Sequence, residues 1–343
     1  MPPVRPFRAL RYDPDVAGPL EDLVAPPYDV ISPQSRLEYL ARSPYNVVHL
    51  TLPDSPEDAA AALSAWRAQS VLRDEPPAFW WVAQDYVGPD GVPRRREGIA
   101  ASVEATPYAA GRVLPHERTH EGPREGRLAL LRATHVELEP IFLLYEGEPP
   151  FDAPSDLPGM DVEQGGVRTR VWRVDAAGDL EVPTPLLIAD GHHRYETAVA
   201  FRQERPEATH LLAVLVSADA PGLEIFPTHR VVQRVGEVPG TEVDGPGDGV
   251  TLYRAGRFLR VETDDDFGPR VVESFAPEGV TYTPDAAEAV AAVDRGEAEA
   301  AFLLQPVTVE QVARFARAGE TMPQKSTFFY PKLTSGLLFH PVG

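Results

Sequence analysis

The sequence predicts a mixed α+β protein, an α/β arrangement in which a central strand-turn-helix belongs to a compact sheet domain. Three observations carry this. Leu186 to Ala189 is a short apolar run of buried-strand length, Asp190-Gly191 is a turn signal, and Tyr195, Ala198, Val199 and Arg202 recur at helical spacing as far as Pro206. Apolar strand-like runs and helix-periodic runs also alternate through most of the 343 residues. The 43% hydrophobic and 24% charged content is that of an ordinary globular chain.

In chain order, Ala25-Pro-Pro-Tyr-Asp-Val-Ile-Ser-Pro33 is a turn-rich loop that ends at a helix start. Ser32 is the N-cap, Pro33 the first helical residue, and the helix runs to about Ala41. Asn46 to Leu52 alternates like a strand, Ala59 to Leu72 is an alanine-rich helix, and Ala78 to Tyr86 and Glu97 to Val103 are strands joined by a turn over Gly88 to Pro93. A polar loop, Pro115 to Glu121, leads to a helix from Arg127 to Arg132. Pro140 to Tyr145 is a buried strand, and the Pro-rich, acidic stretch Glu146 to Pro158 reads as a lobe boundary. Val167 to Val174 and Leu211 to Ser217 are strands, and Gly236 to Gly249 is a link. The last hundred residues show a strand near Phe258, helices at Asp285 to Arg295 and Val309 to Gly319, and a strand from Ala300 to Leu304. Three segments result: an N-terminal lobe over residues 1–150, a core over 159–235, and a C-terminal lobe over 250–343.

Composition excludes several classes. With no cysteine there is no disulfide, thiol nucleophile or thiolate metal site. The formal charge of −20 argues against nucleic acid and anionic membranes as partners, because such surfaces are met by basic patches. No apolar run approaches the roughly 20 residues of a membrane span, and the first residues lack a signal-peptide pattern, so a cytoplasmic protein is expected.

Candidate functional residues cluster in four motifs. Where a helix opens off a strand, its first N–H groups and dipole favour an anion. Here Gly191, His192, His193 and Arg194 occupy that position, with Asp190 expected to cap the helix. The second motif, Pro115-His-Glu-Arg-Thr-His-Glu121, has the spelling of a zinc protease helix. Pro115 and Gly122-Pro123 deny it a continuous helix, so His116, Glu117, Thr119 and Arg127 are expected to share a pocket instead. The third places Thr228, His229 and Arg230 at a strand edge. The fourth, Met322 to Lys332, holds Ser326, Thr327 and, in Lys325 and Lys332, the only two lysines among 32 basic residues. In a chain biased so strongly to arginine, a retained lysine points to a site that needs a compact ammonium, as phosphate sites do.

Pro-Pro-Tyr-Asp-Val-Ile-Ser, Tyr-Asn-Val-Val-His-Leu, His-Glu-Arg-Thr, Ile-Ala-Asp-Gly-His-His-Arg-Tyr-Glu-Thr-Ala, Pro-Thr-His-Arg and Met-Pro-Gln-Lys-Ser-Thr-Phe-Phe-Tyr-Pro-Lys together resemble the bacterial and archaeal family known as domain of unknown function 1015. The resemblance runs through nearly the whole chain in order. This chain has Phe328 where that family usually has tyrosine, and Gly126 where an acid is expected. In that family the histidine at position 120 is not required. The Asp-Gly-His-His-Arg element further resembles the ParB and sulfiredoxin superfamily, which includes free-serine kinases. It implies a ParB/sulfiredoxin-like core with the N- and C-terminal segments packed around one pocket.

The residues and the resemblance together make the first reading a nucleotide-dependent phosphotransferase in serine metabolism. It would use ATP or ADP with Mg²⁺ on a small polar metabolite, with free serine as the acceptor that the resemblance suggests. Asp190, Glu117, His116 and His193 are the catalytic candidates, and Asp190, with Glu117 and Asp29, the candidate Mg²⁺ ligands. Gly191, His192, Arg194, Arg127, Thr228, His229, Arg230, Lys325, Ser326 and Thr327 are the candidate nucleotide contacts. Two alternatives keep a phosphorylated small molecule as the partner: a nucleotide- or phosphate-binding regulatory module without catalysis, and a metal-assisted phosphate-ester hydrolase. A Walker A loop is absent, since Gly319 to Lys325 has the wrong spacing and Pro323 in its middle.

Overall fold

Residues 3–117, 121–175 and 178–342 are described in the computed structural model of the chain. They form two units, one of residues 3–115, 121–223 and 331–342, the other of residues 116–117 and 224–330. Strands on both sides of Glu146–Pro158 pair in one sheet of the first unit, so that connector does not divide the chain. The last twelve described residues likewise belong to the first unit rather than to a C-terminal lobe.

The first unit is built on a ten-stranded mixed sheet. Its path runs Val113–Leu114, Leu186–Asp190, Ile141–Tyr145, His210–Ser217, Pro93–Glu104, Phe79–Val87, Val167–Val174 and Met160–Gln164, with Pro3–Arg5 and Leu180–Glu181 added beside it. The hairpin Phe79–Val87 to Pro93–Glu104 forms as the Gly88 to Pro93 turn predicts. Its inward residues, with Ile141, Leu143, Ile188 and Leu215, form the larger core. Leu186–Asp190 pairs antiparallel with Ile141–Tyr145, and the register shifts between Ile188 and Asp190. Such a bulge re-aims the side chain that follows it, and here that side chain is Asp190. The helices Glu121–Thr134 and His192–Glu204 also belong to this unit.

Pro33–Arg42 begins as its sequence predicts, with Ser32 accepting from the Ser35 N–H and Pro33 in the first turn. Two expectations fail nearby. The helix Glu121–Thr134 starts before Gly122-Pro123 rather than after it, because a proline in the first turn removes an N–H that would have no helical partner anyway. The Asn46–Leu52 stretch is not a strand but holds the helical turn Val48–Thr51. Asn46 is fully buried; its amide donates to the carbonyls of Asp22 (2.7 Å) and Val24 (3.3 Å), and its oxygen accepts from the Val48 N–H (3.0 Å). That local bond closes a turn, and Val47, Val48 and Leu50 then pack with Leu23, Leu63 and Trp66.

The second unit carries a six-stranded antiparallel sheet in the order Gly240–Val243, Arg257–Val261, Thr251–Arg254, Ala300–Leu303, His229–Arg234, Glu278–Thr283. The Gly236 to Gly249 link thus contains a strand, and Thr251–Arg254, Glu278–Thr283 and the helix Gly268–Ser274 are additions to the expected pattern. The helices Ala286–Asp294 and Val309–Ala318 match it, the latter with a full capping box between Thr308 and Gln311. Among the described residues no helix is long and apolar enough to cross a membrane.

Asn46 gives this account a direct test. Asn46→Ala leaves two carbonyls and one N–H of the first unit without their buried partner, so a loss of about 2 to 3 kcal/mol is expected, read as a lower urea midpoint at unchanged slope.

Candidate functional site

The strand Leu186–Asp190 delivers Asp190 to the start of the helix His192–Glu204. Gly191 stands between them as N-cap, in the left-handed region at φ 97°, and no side chain caps the helix. A Cβ at this position would lie 3.1 Å from Arg194 Nε, so glycine is needed both for the backbone angle and for the guanidinium that folds over it. Asp190 therefore does not cap the helix, because its carboxylate is held elsewhere. One oxygen accepts from Arg194 Nη2 at 2.6 Å and the other from Lys332 Nζ. Arg194 Nη1 also donates to the Pro140 carbonyl at 2.5 Å. Burial alone would push the Asp190 pKa up, but Lys332 and Arg194 outweigh it and hold the carboxyl well below the usual range.

Lys332 is itself held by its backbone. Its carbonyl accepts from Gln84 Nε2 at 3.1 Å, and the preceding Pro331 carbonyl from Arg96 Nη2 at 2.6 Å. Arg96 is 2% exposed in the central hairpin, bonded also to Gln84 and stacked 4.5 Å from the Phe142 ring, and burial lowers its pKa to about 10. A second cluster in the same unit centres on Glu139, whose side chain is 4% accessible. It accepts from the Tyr28 N–H at 3.0 Å and from the Ser335 hydroxyl at 2.9 Å, with Arg127 Nη1 at 3.8 Å. Arg127 lies 4.1 Å over the Tyr28 ring and donates to the Thr51 carbonyl at 2.8 Å. Arg194 and Arg127 both act on the Tyr28 hydroxyl, although burial dominates and raises its pKa. A cavity of about 50 Å³ adjoins, lined by Arg127, Glu139, Arg194, Thr197 and leucines of the Glu121–Thr134 helix.

The first unit thus brings together Asp190, Gly191, His192, His193, Arg194 and Arg127, with Lys332, Tyr28, Glu139 and Ser335 beside them. Asp29, adjacent to Tyr28, is exposed. His192 is buried and His193 half-buried. Glu139, Gln84 and Arg96 were not singled out from the sequence, and only the acid-proline step Glu139-Pro140 before a buried strand could have marked Glu139.

The remaining candidates lie in the second unit. His116 is fully buried there, its Nε2 3.0 Å from Thr327 Oγ1 and its carbonyl accepting from the Met322 N–H. It lies outside the Glu121–Thr134 helix, so the one-helix zinc arrangement does not form. Thr119 and His120 lie outside the described residues. Glu117 is half-buried. Ser326 is buried and donates to the Pro323 carbonyl at 2.6 Å, whereas Lys325 is exposed in a left-handed conformation at φ 55°. His229 accepts the Leu304 N–H on Nδ1 at 3.1 Å, and burial takes its pKa down to about 4, so it is a neutral acceptor at pH 7. Thr228 and Arg230 are buried beside it. Among the described residues no group of three or more His, Asp or Glu side chains could hold a metal ion.

Residues 4–243 match the family described as protein of unknown function (DUF1015). The chain belongs to that family. No curated protein matches this DUF1015 sequence. Among solved structures it is similar to a free serine kinase in complex with AMP, at 14% identity over 70% of this chain and 91% of that one, with a TM-score of 0.42. A truncated SbnI from Staphylococcus aureus shows 14% identity over 70% and 86%, with a TM-score of 0.44. A conserved hypothetical protein from Pyrococcus furiosus shows 15% over 68% and 93%, with a TM-score of 0.38.

The paired carboxylate makes a signed prediction. A depressed folded pKa means that Asp190 contributes its full stability above its unfolded pKa of about 4 and loses it as pH falls below that value. Asp190→Asn should cost about 3 to 5 kcal/mol at pH 7, because Lys332 and Arg194 lose their buried counter-charge. The gap to wild type should narrow from pH 5 to pH 2 in chemical denaturation.

Proposed function

We propose that this DUF1015 chain is a nucleotide-dependent phosphotransferase acting on a small polar metabolite, free serine being the acceptor to try first. The observation that supports it most is the start of the His192–Glu204 helix. No side chain caps it, no acid stands in its first turn, and the nearest carboxylate, Asp190, is committed to Lys332 and Arg194. The helix dipole and first-turn N–H groups then favour a phosphate. In this reading Gly191 and His192 supply backbone to the phosphate, and Arg194 adds positive potential without leaving Asp190. His193, half-buried in the same turn, donates one ring N–H to the phosphate and takes the acceptor proton on its other ring nitrogen. Asp190 acts as an ionised anchor, since its depressed pKa makes it a weak base. The likeness to the free serine kinases is too distant to add to this reading.

The donor set does not fit a resident Mg²⁺ on Asp190, whose two oxygens are taken by cations. The metal-assisted hydrolase alternative therefore loses its support. A second reading, a nucleotide- or phosphate-binding module without catalysis, is favoured by one observation. Asp190 and Glu139 are both already engaged, Glu139 by Tyr28 and Ser335.

Calorimetry of the full chain with ATP, ADP and pyrophosphate, with and without Mg²⁺, followed by ³¹P NMR with serine, separates these readings. Nucleotide binding that weakens about tenfold in His193→Ala is expected, roughly the 1.4 kcal/mol of one hydrogen bond to a charged group, together with phosphoserine formation. Binding without transfer to any small hydroxyl acceptor selects the second reading, and no binding at all rejects both.

A further inference from the structure

In the second unit, Arg230 is the second residue of the strand His229–Arg234 and is 3% exposed. Its Nη1 donates to the Thr228 carbonyl at 2.6 Å, and its guanidinium stands 5.6 Å from the Tyr282 ring centroid. Its Nη2 is buried and meets no acceptor, and two residues earlier the Thr228 hydroxyl is buried and meets no partner either. Among the described residues no carboxylate forms an ion pair with Arg230, and Glu273 acts on it only at longer range. His229 between them is a neutral acceptor for the Leu304 N–H and supplies no charge.

A guanidinium at this depth is costly unless its N–H groups meet acceptors and its charge meets a counter-charge. Water could satisfy a hydrogen bond, but it brings no charge. The aromatic face of Tyr282 compensates only in part. Buried atoms without partners occur elsewhere, at Trp80, at Arg96 and at His49 with Thr51 for example, but none of those sites sets a guanidinium beside a hydroxyl. At Thr228 and Arg230 a cation bonded to the Thr228 carbonyl and the hydroxyl of that same threonine both have donor capacity left. An N–H fork and an O–H donor together match the oxygens of a tetrahedral oxyanion.

We propose that Thr228 and Arg230 form a site in the second unit for the phosphate group of a small phosphorylated molecule, with the Arg230 N–H and Thr228 O–H donating to its oxygens. The site does not depend on the His192–Glu204 helix start binding a phosphate.

Thr228→Val replaces the hydroxyl with a methyl of the same shape, so the fold is kept whatever happens to Arg230 variants. Melting temperature and calorimetric affinity are to be followed for wild type, Thr228→Val and Arg230→Lys against inorganic phosphate, glycerol phosphate and acetate at constant ionic strength. We expect Thr228→Val to be as stable as wild type or more so without phosphate. Its phosphate midpoint should rise at least tenfold, Arg230→Lys should do the same, and acetate should have little effect on any of them. Glycerol phosphate binding tighter than inorganic phosphate would place a metabolite's phosphate there; the reverse order would place the free ion. Equal phosphate midpoints in wild type and Thr228→Val, or no response to either phosphate, would overturn the proposal. His193→Ala separates the two readings: a midpoint moved by His193→Ala and unmoved by Thr228→Val removes this site and leaves the helix start standing.

Discussion

The first unit depends on how one largely buried carboxylate is neutralised. Asp190 ends a strand, begins the turn into a helix and binds a lysine 142 residues later in the chain. Without Lys332 and Arg194, a carboxylate only 15% accessible would take up a proton or pull the strand end toward water. With them it ties three segments to one point: the sheet, the helix start and the returning C-terminal segment. The bulge beside Ile188 and the left-handed Gly191 set the direction of that side chain, so the local backbone irregularities and the charge pairing are one arrangement.

The same logic extends below the strand ends. Arg96 and Gln84 occupy buried positions on the face of the hairpin opposite the larger core, where apolar residues would normally sit, and they take the carbonyls of Pro331 and Lys332. These are backbone groups of an irregular segment, which has no ladder to satisfy it. Placing a polar pair in the sheet satisfies them and positions the Lys332 ammonium on Asp190. Glu139 does similar work for Tyr28 and Ser335.

Much of the fold was legible in the sequence wherever the signal was local. The Ser32-Pro33 cap, the Gly88 to Pro93 hairpin, the strand Val167–Val174 and the strand-turn-helix at Leu186 to Glu204 all depend on neighbours in sequence, and all form. What was not legible depends on distant partners. Asn46 to Leu52 alternates as a strand does, yet Asn46 reaches the carbonyls of Asp22 and Val24 and closes a helical turn. Asp190 has the side chain of an N-cap, yet Lys332 and Arg194 outcompete the helix N–H groups for it. The Asp-Gly-His-His-Arg turn forms where its sequence places it, but its charge pattern did not reveal the partners. Glu139, Gln84 and Arg96 sit in runs that read as ordinary strand or loop, and only the folded chain shows which carbonyls and hydroxyls they meet.

The two surviving lysines show how far a compositional argument reaches. Retention against a strong arginine bias pointed to a need for a compact ammonium, and for Lys332 the structure supplies one: a carboxylate partner already shared with a planar guanidinium. Two guanidiniums on one buried carboxylate would compete for the same in-plane positions, whereas an ammonium can approach from outside that plane. Lys325, exposed and in a left-handed backbone conformation, has no such constraint on its side chain. Retention thus identified the segment, while burial and pairing decide which lysine carries the reason for it, and that order reverses the weight that phosphate chemistry alone would assign to Lys325.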